Sequence, residues 1–185
     1  MTEQDGRRRK GELRRQALLD ATLRIVERHG LPAVSQRAVA QEAQVPPSAV
    51  LYYFATVDDL ILATFAFCND RYIDRLEEIA AAPEETRLGL LADDIASGAQ
   101  AGRGRMLAEF DLLLLAARRP DMDAELQRWS DAVDAVVDAL GVPPAQRPAF
   151  GAALDGFFLR CAIAPRPPDA ATVLDSLRSL WPIRR

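Results

Sequence analysis

A short segment that opens with proline carries the side chains best suited to contact nucleic acid. Within residues 47–54, Val50 and Phe54 are four residues apart, so both can pack on one side of a helix. The side chains left to face outward are small or aromatic: Ser48, Ala49, Tyr52 and Tyr53. Tyrosine hydroxyls suit phosphate groups and small side chains suit base edges, so this segment predicts contact with DNA. The alternative is a plain three-helix core in which the two tyrosines are half-buried.

Basic side chains are concentrated near this segment, although the whole chain is acidic. The 185 residues carry 23 basic and 27 acidic side chains, a net charge of −4, whereas residues 1–55 carry nine basic and six acidic ones. This asymmetry predicts that the first part contacts a polyanion and that the rest has another task, with a solvated charged face as the alternative. The cluster from Arg7 to Lys10, with Arg14 and Arg15, predicts an arm along or into the minor groove; the alternative is a disordered tail.

Residues with catalytic or metal-binding potential are too few and too scattered for an enzyme. The single histidine, His29, stands before a glycine at the predicted end of a helix. Cys68 and Cys161 are far apart in the sequence and lack the neighbouring cysteines of a zinc site. Asp93 and Asp94 are adjacent, and adjacent helical residues point in different directions. We therefore expect no catalytic residue, no metal site and no cofactor.

Length and composition predict a globular protein of one compact domain, or of a small domain with a modest second one. Hydrophobic residues make up 49% of the chain, enough for a core. No window approaches 18 uninterrupted apolar residues, so we expect no membrane-spanning helix and no membrane partner. The first residues are charged and lack an apolar stretch, which indicates no secretory signal and a cytoplasmic location.

Helical spacing of apolar residues runs through the whole chain, and no alternating strand pattern interrupts it. The fold class is therefore all-α, with about nine helices. Ser35 and Thr56 are predicted N-caps, and Gly30 ends the first helix. The predicted helices cover 11–29, 36–43, 47–53, from 57 onward, 84–100, 105–118, from 121 to 140, from 148 onward, and a last one after the proline-rich loop 165–168. We predict a helix-turn-helix domain over residues 1–56 and a larger helical regulatory and dimerisation domain over 57–185.

The order of these features in residues 14–62 resembles the DNA-binding domain of the TetR family of bacterial transcriptional regulators. A long first helix ends in glycine, Arg37 and Ala40 mark the second helix, Val45 follows the turn, and an aromatic run precedes an acidic residue and Leu60. The chain departs from the family pattern at three positions, Gln44, Leu51 and Val57, where the family has glycine, tyrosine and lysine. If the turn requires a left-handed residue, Gln44 costs roughly 1–2 kcal/mol.

The resemblance implies a role in DNA binding for residues of the first four helices. Arg37 falls where the family contacts a base or phosphate, and the start of the third helix falls where it reads base edges. Two such helices, about one DNA turn apart in a homodimer, would read a near-palindromic operator. The DNA-contact set implied is Arg37, Pro47, Ser48, Ala49, Tyr52, Tyr53 and Thr56, with Arg14 and Arg15 from the first helix.

The resemblance further implies a repressor that a small-molecule effector releases from DNA. The effector pocket would be lined by Phe65, Met106, Phe110, Leu114 and Trp129, with Glu109, Asp111 or Arg118 as polar anchors. The dimer interface would be formed by the last two helices through Phe150, Leu154, Phe157, Phe158, Leu177 and Trp181. The alternatives are that both sets belong to the core of a single subunit, and that the protein is a dimeric helix-turn-helix DNA-binding protein without an effector.

Overall fold

The computed structural model describes residues 3–100 and 102–180, and every regular element in these ranges is helical. The all-α prediction is therefore confirmed. The helices are α1 (Glu3–His29), α2 (Gln36–Glu42), α3 (Pro47–Tyr53), α4 (Val57–Ala81), α5 (Glu84–Gln100), α6 (Arg103–Ala116), α7 (Asp123–Ala139), α8 (Arg147–Ile163) and α9 (Ala170–Leu180). Single 3-10 turns lie at Leu31–Ala33, Pro120–Met122 and Pro144–Gln146.

The chain forms two compact units. The first consists of the chain up to Cys68 together with Ala108–Met122, and the second of Asn69–Leu107 with the chain from Asp123 onward. Two helices, α4 and α6, thus contribute residues to both units. The division between these units does not fall at the predicted domain boundary after residue 56. That boundary stays a prediction.

The first unit is built around α1, α2 and α3. Helix α1 packs against α2, and α2 packs against α3. The side chains of Leu19, Val39, Val50 and Leu60 are fully buried in this unit. Two buried hydroxyls are satisfied within their own helices: Thr22 Oγ1 donates to the backbone oxygen of Leu18 at 2.9 Å, and Thr64 Oγ1 donates to that of Leu60 at 2.7 Å.

The second unit is built around α5, α7, α8 and α9. Helix α5 packs against α8 and α9, and α7 packs against α8. Its fully buried side chains are Leu91, Ile95, Val136, Val137 and Leu177. Arg87 ties the first turn of α5 to the end of α7, because its guanidinium donates to the backbone oxygen of Ala139 at 2.5 Å.

Two predictions about the helices need correction, one about where α1 begins and one about which leucines of α6 are buried. Helix α1 begins at Glu3 rather than at residue 11, so the basic cluster 7–10 lies on a helix and is neither an extended arm nor a coil. Among the leucines of α6, Leu112 is buried, 1% exposed, whereas Leu114, a predicted pocket residue, is 61% exposed. Four consecutive leucines, 112–115, give no apolar spacing from which the buried side of α6 could be predicted.

No single helix in residues 3–100 and 102–180 is long and apolar enough to cross a membrane. Helices α3 and α4, which are bent by 69° at their junction, reach the necessary length and hydropathy only when taken together.

Candidate nucleic-acid interface

Helices α2 and α3 are joined by a tight turn whose geometry is set by Gln44. Ser35 Oγ accepts the backbone N–H of Ala38 at 3.1 Å and so caps the start of α2, as predicted. At its end, the N–H of Val45 donates to Ala40 at 2.9 Å and the N–H of Gln44 to Gln41 at 3.2 Å. These two bonds form a Schellman motif, which requires a left-handed residue. Gln44 has φ 56°, so the left-handed geometry considered from the sequence is the one adopted.

Helix α3 turns one side toward the unit's core and the other toward solvent. Val50 is 0% exposed and Phe54 is 4% exposed, as their spacing predicts. Pro47 and Ser48 are exposed, and Ala49 and Tyr53 are half-buried. Tyr52 is 81% exposed, so a large aromatic side chain with a hydroxyl stands almost wholly in solvent. The outward face of α3 is therefore free to meet a partner.

A cleft separates the first half of α1 from the outward face of α3. It encloses about 710 Å³ and is lined on one side by Lys10 and Arg14 and on the other by Tyr52 and Tyr53. The two tyrosine rings meet edge to face, with centroids 5.0 Å apart. Gly11 faces Tyr53 across this cleft, since a Cβ at this position would be 3.8 Å from the Tyr53 hydroxyl. Two cationic side chains and two phenols thus face one groove, a combination that suits a phosphate group.

The remaining DNA-contact candidates differ in how much of each side chain is accessible. Arg37 is exposed on α2. Arg15 is half-buried and its guanidinium lies over the Phe54 ring, 5.4 Å from the centroid, so it also stabilises the end of α3. Thr56 is exposed and caps α4: its Oγ1 accepts the N–H of Asp59 and its own N–H donates to the Asp59 carboxylate, both at 3.0 Å. The DNA-binding role of each remains a prediction.

An acidic residue within the first unit is neutralised by α1. The carboxylate of Glu42, at the end of α2, accepts hydrogen bonds from Arg24, at 2.7 Å, and from Arg28. The hydrogen bond from Arg24, followed by that from Arg28, holds the pKa of Glu42 below its ordinary value of 4.5. Glu42 therefore stays ionised and paired, and the positive charge of the outward face is not offset by a free carboxylate at this position.

The predicted effector residues are divided between the two units. In the first unit Phe65 is buried, Phe110 is half-buried and Leu114 is exposed. In the second, Met106 is buried against α5, where a Cβ on Gly98 would come within 2.5 Å of the Met106 methyl group. Leu114 therefore does not line an enclosed space within its own unit.

Sequence reasoning missed a polar and aromatic cluster in the second unit. Trp129 is stacked on Tyr72 with ring centroids 6.3 Å apart, and Tyr72 meets Phe158 edge to face at 6.0 Å. Asn69, 2% exposed, donates to the side chain and backbone oxygens of Glu125, each at 3.0 Å. One signal could have revealed the cluster: Asn69 lies in the buried stripe of α4, where the sequence offers apolar residues one turn before and after it.

The predicted dimer-interface residues differ in their burial within the single chain. Four of them fill the core of the second unit and are at most 8% exposed: Phe150, Leu154, Phe158 and Leu177. Phe157 is half-buried, and Trp181 lies outside the described residues. Helix α8 is apolar on both sides, so apolar spacing alone does not tell which side would face a second subunit, and the predicted interface stays a prediction. Its outward side carries Ala152, Gly156, Leu159 and Ile163, of which Leu159 is 44% and Ile163 55% exposed. A Cβ on Gly156 would meet nothing within 4 Å, so this side is open.

Within residues 3–100 and 102–180, no group of three histidine, cysteine or acidic side chains could hold a metal ion. Cys68 and Cys161 both have buried side chains. Burial raises the pKa of Cys161, which keeps its thiol protonated and poorly nucleophilic.

Comparison with known proteins gives matches along nearly the whole chain. Residues 18–64 match the family described as bacterial regulatory proteins, tetR family, and residues 82–183 match the tetracyclin repressor-like C-terminal domain. The HTH-type transcriptional regulator BetI of Brucella suis biovar 1 is 30% identical over 172 residues, which cover 88% of this chain and 86% of BetI.

Solved structures agree with these matches. A TetR family member from Streptomyces coelicolor is 31% identical, with a TM-score of 0.75, over 90% of this chain and 97% of that one. The multidrug binding protein EbrR in complex with ethidium is also 31% identical, with a TM-score of 0.71 over the same shares of the two chains.

Proposed function

Because the chain belongs to the TetR family of bacterial regulatory proteins, we propose that it is a dimeric repressor released from a near-palindromic operator by a small-molecule effector. It is a helix-turn-helix transcriptional regulator and not an enzyme. What we propose beyond this is the direction of regulation, the symmetry of the DNA site and the release by an effector. Its place of action would be the cytoplasm, where bacterial DNA is found.

The observation that carries DNA recognition is the outward face of α3. Buried Val50 and Phe54 hold the helix in place, which leaves Tyr52 and Ser48 exposed. Lys10 and Arg14 of α1 line the same cleft as Tyr52, and Arg37 is exposed on α2. Small side chains at the start of α3 make few hydrogen bonds to base edges. We therefore expect much of the specificity to come from DNA shape and much of the affinity from phosphate contacts, with strong salt dependence.

Pairing of two subunits would place two copies of α3 on one operator. One recognition helix reads only a few base pairs, and a twofold dimer doubles this site. We assign the pairing surface to the outward side of α8, with its small and apolar residues Ala152, Gly156, Leu159 and Ile163, and to Leu180 of α9, which is 45% exposed. Small residues in such a stripe allow two helices to approach closely.

Release by an effector would act as a population shift. The protein would have one form that binds DNA and one that does not. A ligand with higher affinity for the second form lowers operator occupancy, and the ratio of its two affinities sets the size of the effect. Helix α4 is the candidate lever, because it begins at Val57 directly after the helix-turn-helix and continues into the second unit. The solved complex of EbrR with ethidium supports an effector of small-molecule size.

DNA binding can be tested with duplexes selected by the protein from a random pool. Arg37→Ala and Tyr52→Ala should each weaken binding to the selected duplex by about ten-fold or more, since each removes an exposed contact. Arg178→Ala, which removes an exposed arginine of α9, is the matched control and should bind normally. Circular dichroism should show unchanged helicity for all three variants. Normal DNA binding by both the Arg37→Ala and the Tyr52→Ala variants would contradict the assignment of α2 and α3 as the DNA-binding helices.

A further inference from the structure

Three aromatic rings from three helices meet in the second unit. Tyr72 of α4 and Trp129 of α7 are nearly parallel, at 24°, with centroids 6.3 Å apart. Phe158 of α8 meets Tyr72 at 72° with centroids 6.0 Å apart, and it is buried. Tyr72 and Trp129 are only half-buried, so part of their ring surface remains accessible. The faces of such rings carry negative electrostatic potential and attract a cation within about 6 Å.

Two carboxylates lie near these rings in the sequence of the same helices, Glu125 on α7 and Asp70 on α4. Glu125 precedes Trp129 by four residues on α7, so the two side chains share one side of the helix. Arg128 donates to Asp70 at 2.8 Å and to both carboxylate oxygens of Glu125, at 2.8 and 3.1 Å. One guanidinium is thus shared by two carboxylates, and the group as a whole keeps a negative charge. The Glu125 side chain is 26% exposed, which leaves it within reach of a ligand.

Asn69 adds a buried hydrogen-bond acceptor to the cluster. Its Nδ2 donates to two oxygens of Glu125, and because both partners are acceptors the amide orientation is fixed. Asn69 Oδ1 is consequently buried, and within the described part of the chain it has no hydrogen-bond partner. Buried acceptors are normally satisfied, so this oxygen calls for an N–H or O–H donor from outside the protein chain.

We propose that Tyr72, Trp129, Glu125 and Asn69 bind a small organic cation that carries an N–H donor. The ring faces stabilise its delocalised charge, Glu125 neutralises it, and Asn69 Oδ1 accepts the N–H. A neutral ligand forms no ion pair with Glu125, an anion is repelled by it, and a quaternary ammonium leaves Asn69 Oδ1 unsatisfied. The inference rests on the proposed function for its biological meaning, because it names the chemical class of the effector.

Three small molecules of similar size test whether the site requires a positive charge and an N–H donor. Benzamidine is a planar cation with N–H donors, benzamide is its neutral counterpart, and phenyltrimethylammonium is a cation without an N–H. In isothermal titration calorimetry on the full-length protein, benzamidine should bind at least about ten-fold more tightly than either of the others, a difference of about 1.4 kcal/mol. Equal affinity for benzamide, or no measurable benzamidine binding, overturns the proposal. Equal affinity for phenyltrimethylammonium overturns the role of Asn69.

Variants locate the site. Glu125→Gln keeps an acceptor for Asn69 but removes the charge, so benzamidine affinity should fall about ten-fold while benzamide affinity stays the same. Asp70→Asn, a change at a mostly exposed carboxylate, should weaken benzamidine binding in the same direction even if Glu125→Gln fails to fold. Asp134→Asn removes one exposed carboxylate elsewhere on α7 and is the control. Unchanged benzamidine affinity in the folded Glu125 and Asp70 variants overturns the assignment.

DNA binding measured on the same samples separates this inference from the proposed function. Protein that binds its selected duplex but not benzamidine refutes the cation site alone. Protein that binds benzamidine and shows no DNA binding supports the cation site and refutes the repressor. Arg37→Ala should retain full benzamidine affinity, since Arg37 belongs to the first unit and the cation site to the second.

Discussion

At the residue scale, the turn of the DNA-binding unit is held in a conformation that glutamine adopts at a cost. The same Schellman motif occurs at the end of α7, where the left-handed residue is Gly141, with φ 76°. Gln44, with φ 56°, occupies the equivalent position after α2. A side chain in this region costs roughly 1–2 kcal/mol, part of which is offset because glycine loses more backbone freedom on folding.

We therefore predict that Gln44→Gly stabilises the protein by about 0.5–1 kcal/mol in urea denaturation. The reciprocal change, Gly141→Gln, should destabilise it by a similar amount or more, although a Cβ at position 141 would meet no atom within 4 Å. Loss of stability in Gln44→Gly would mean that the exposed glutamine side chain makes a contact that outweighs its backbone strain.

At the element scale, α1 and α2 are held together by one carboxylate and two guanidinium groups. Because Arg24 and Arg28 lower the pKa of Glu42 in the folded state, the ionised form stabilises the fold. This contribution is complete above the ordinary pKa of 4.5 and disappears as the pH falls through the lower folded-state value. The groups lie near the surface, so salt should weaken the contribution as well.

Glu42→Gln should accordingly lower the midpoint of urea unfolding at about pH 7, and the difference from wild type should shrink as the pH drops below the folded-state pKa of Glu42. Glu27→Gln changes an exposed carboxylate on α1 and serves as the control for a general loss of negative charge. A destabilisation of Glu42→Gln that is the same at every pH would refute the electrostatic origin of the effect.

The helices were predictable wherever capping and helix-ending residues agreed with the spacing of the apolar residues. Helix α5 lies at Glu84–Gln100, as predicted, because acidic residues open it and a glycine follows it. The buried side of a helix could not be predicted where apolar residues point in more than one direction. This is the case in the four leucines of α6 and in α8, which is apolar on both sides. The left-handed turn at Gln44 could be inferred conditionally. The unsatisfied acceptor Asn69 Oδ1 could not be inferred from the sequence, because it depends on which atoms of α4 and α7 are in contact.

At the scale of the whole molecule, the proposed pairing surface on the outward side of α8 would bring two DNA-reading units together. Leu159 and Ile163 are exposed apolar side chains on a helix whose opposite side is already buried in the core. Exposed apolar stripes of this kind mark protein–protein contacts. If this stripe pairs two subunits, operator affinity depends on it even though no residue of α8 contacts DNA.

Leu159→Glu should convert the dimer to a monomer, because it places two charges at the centre of a twofold contact. The sedimentation coefficient should fall to that of a single 20.3 kDa chain. Affinity for a two-half-site operator should drop by about a hundred-fold or more, whereas affinity for a duplex with one half-site should stay the same. Ala135→Glu puts the same charge on an exposed position of α7 and should leave both properties intact. A Leu159→Glu protein that remains dimeric would exclude α8 as the pairing surface, and a monomer with full operator affinity would exclude the twofold reading of DNA.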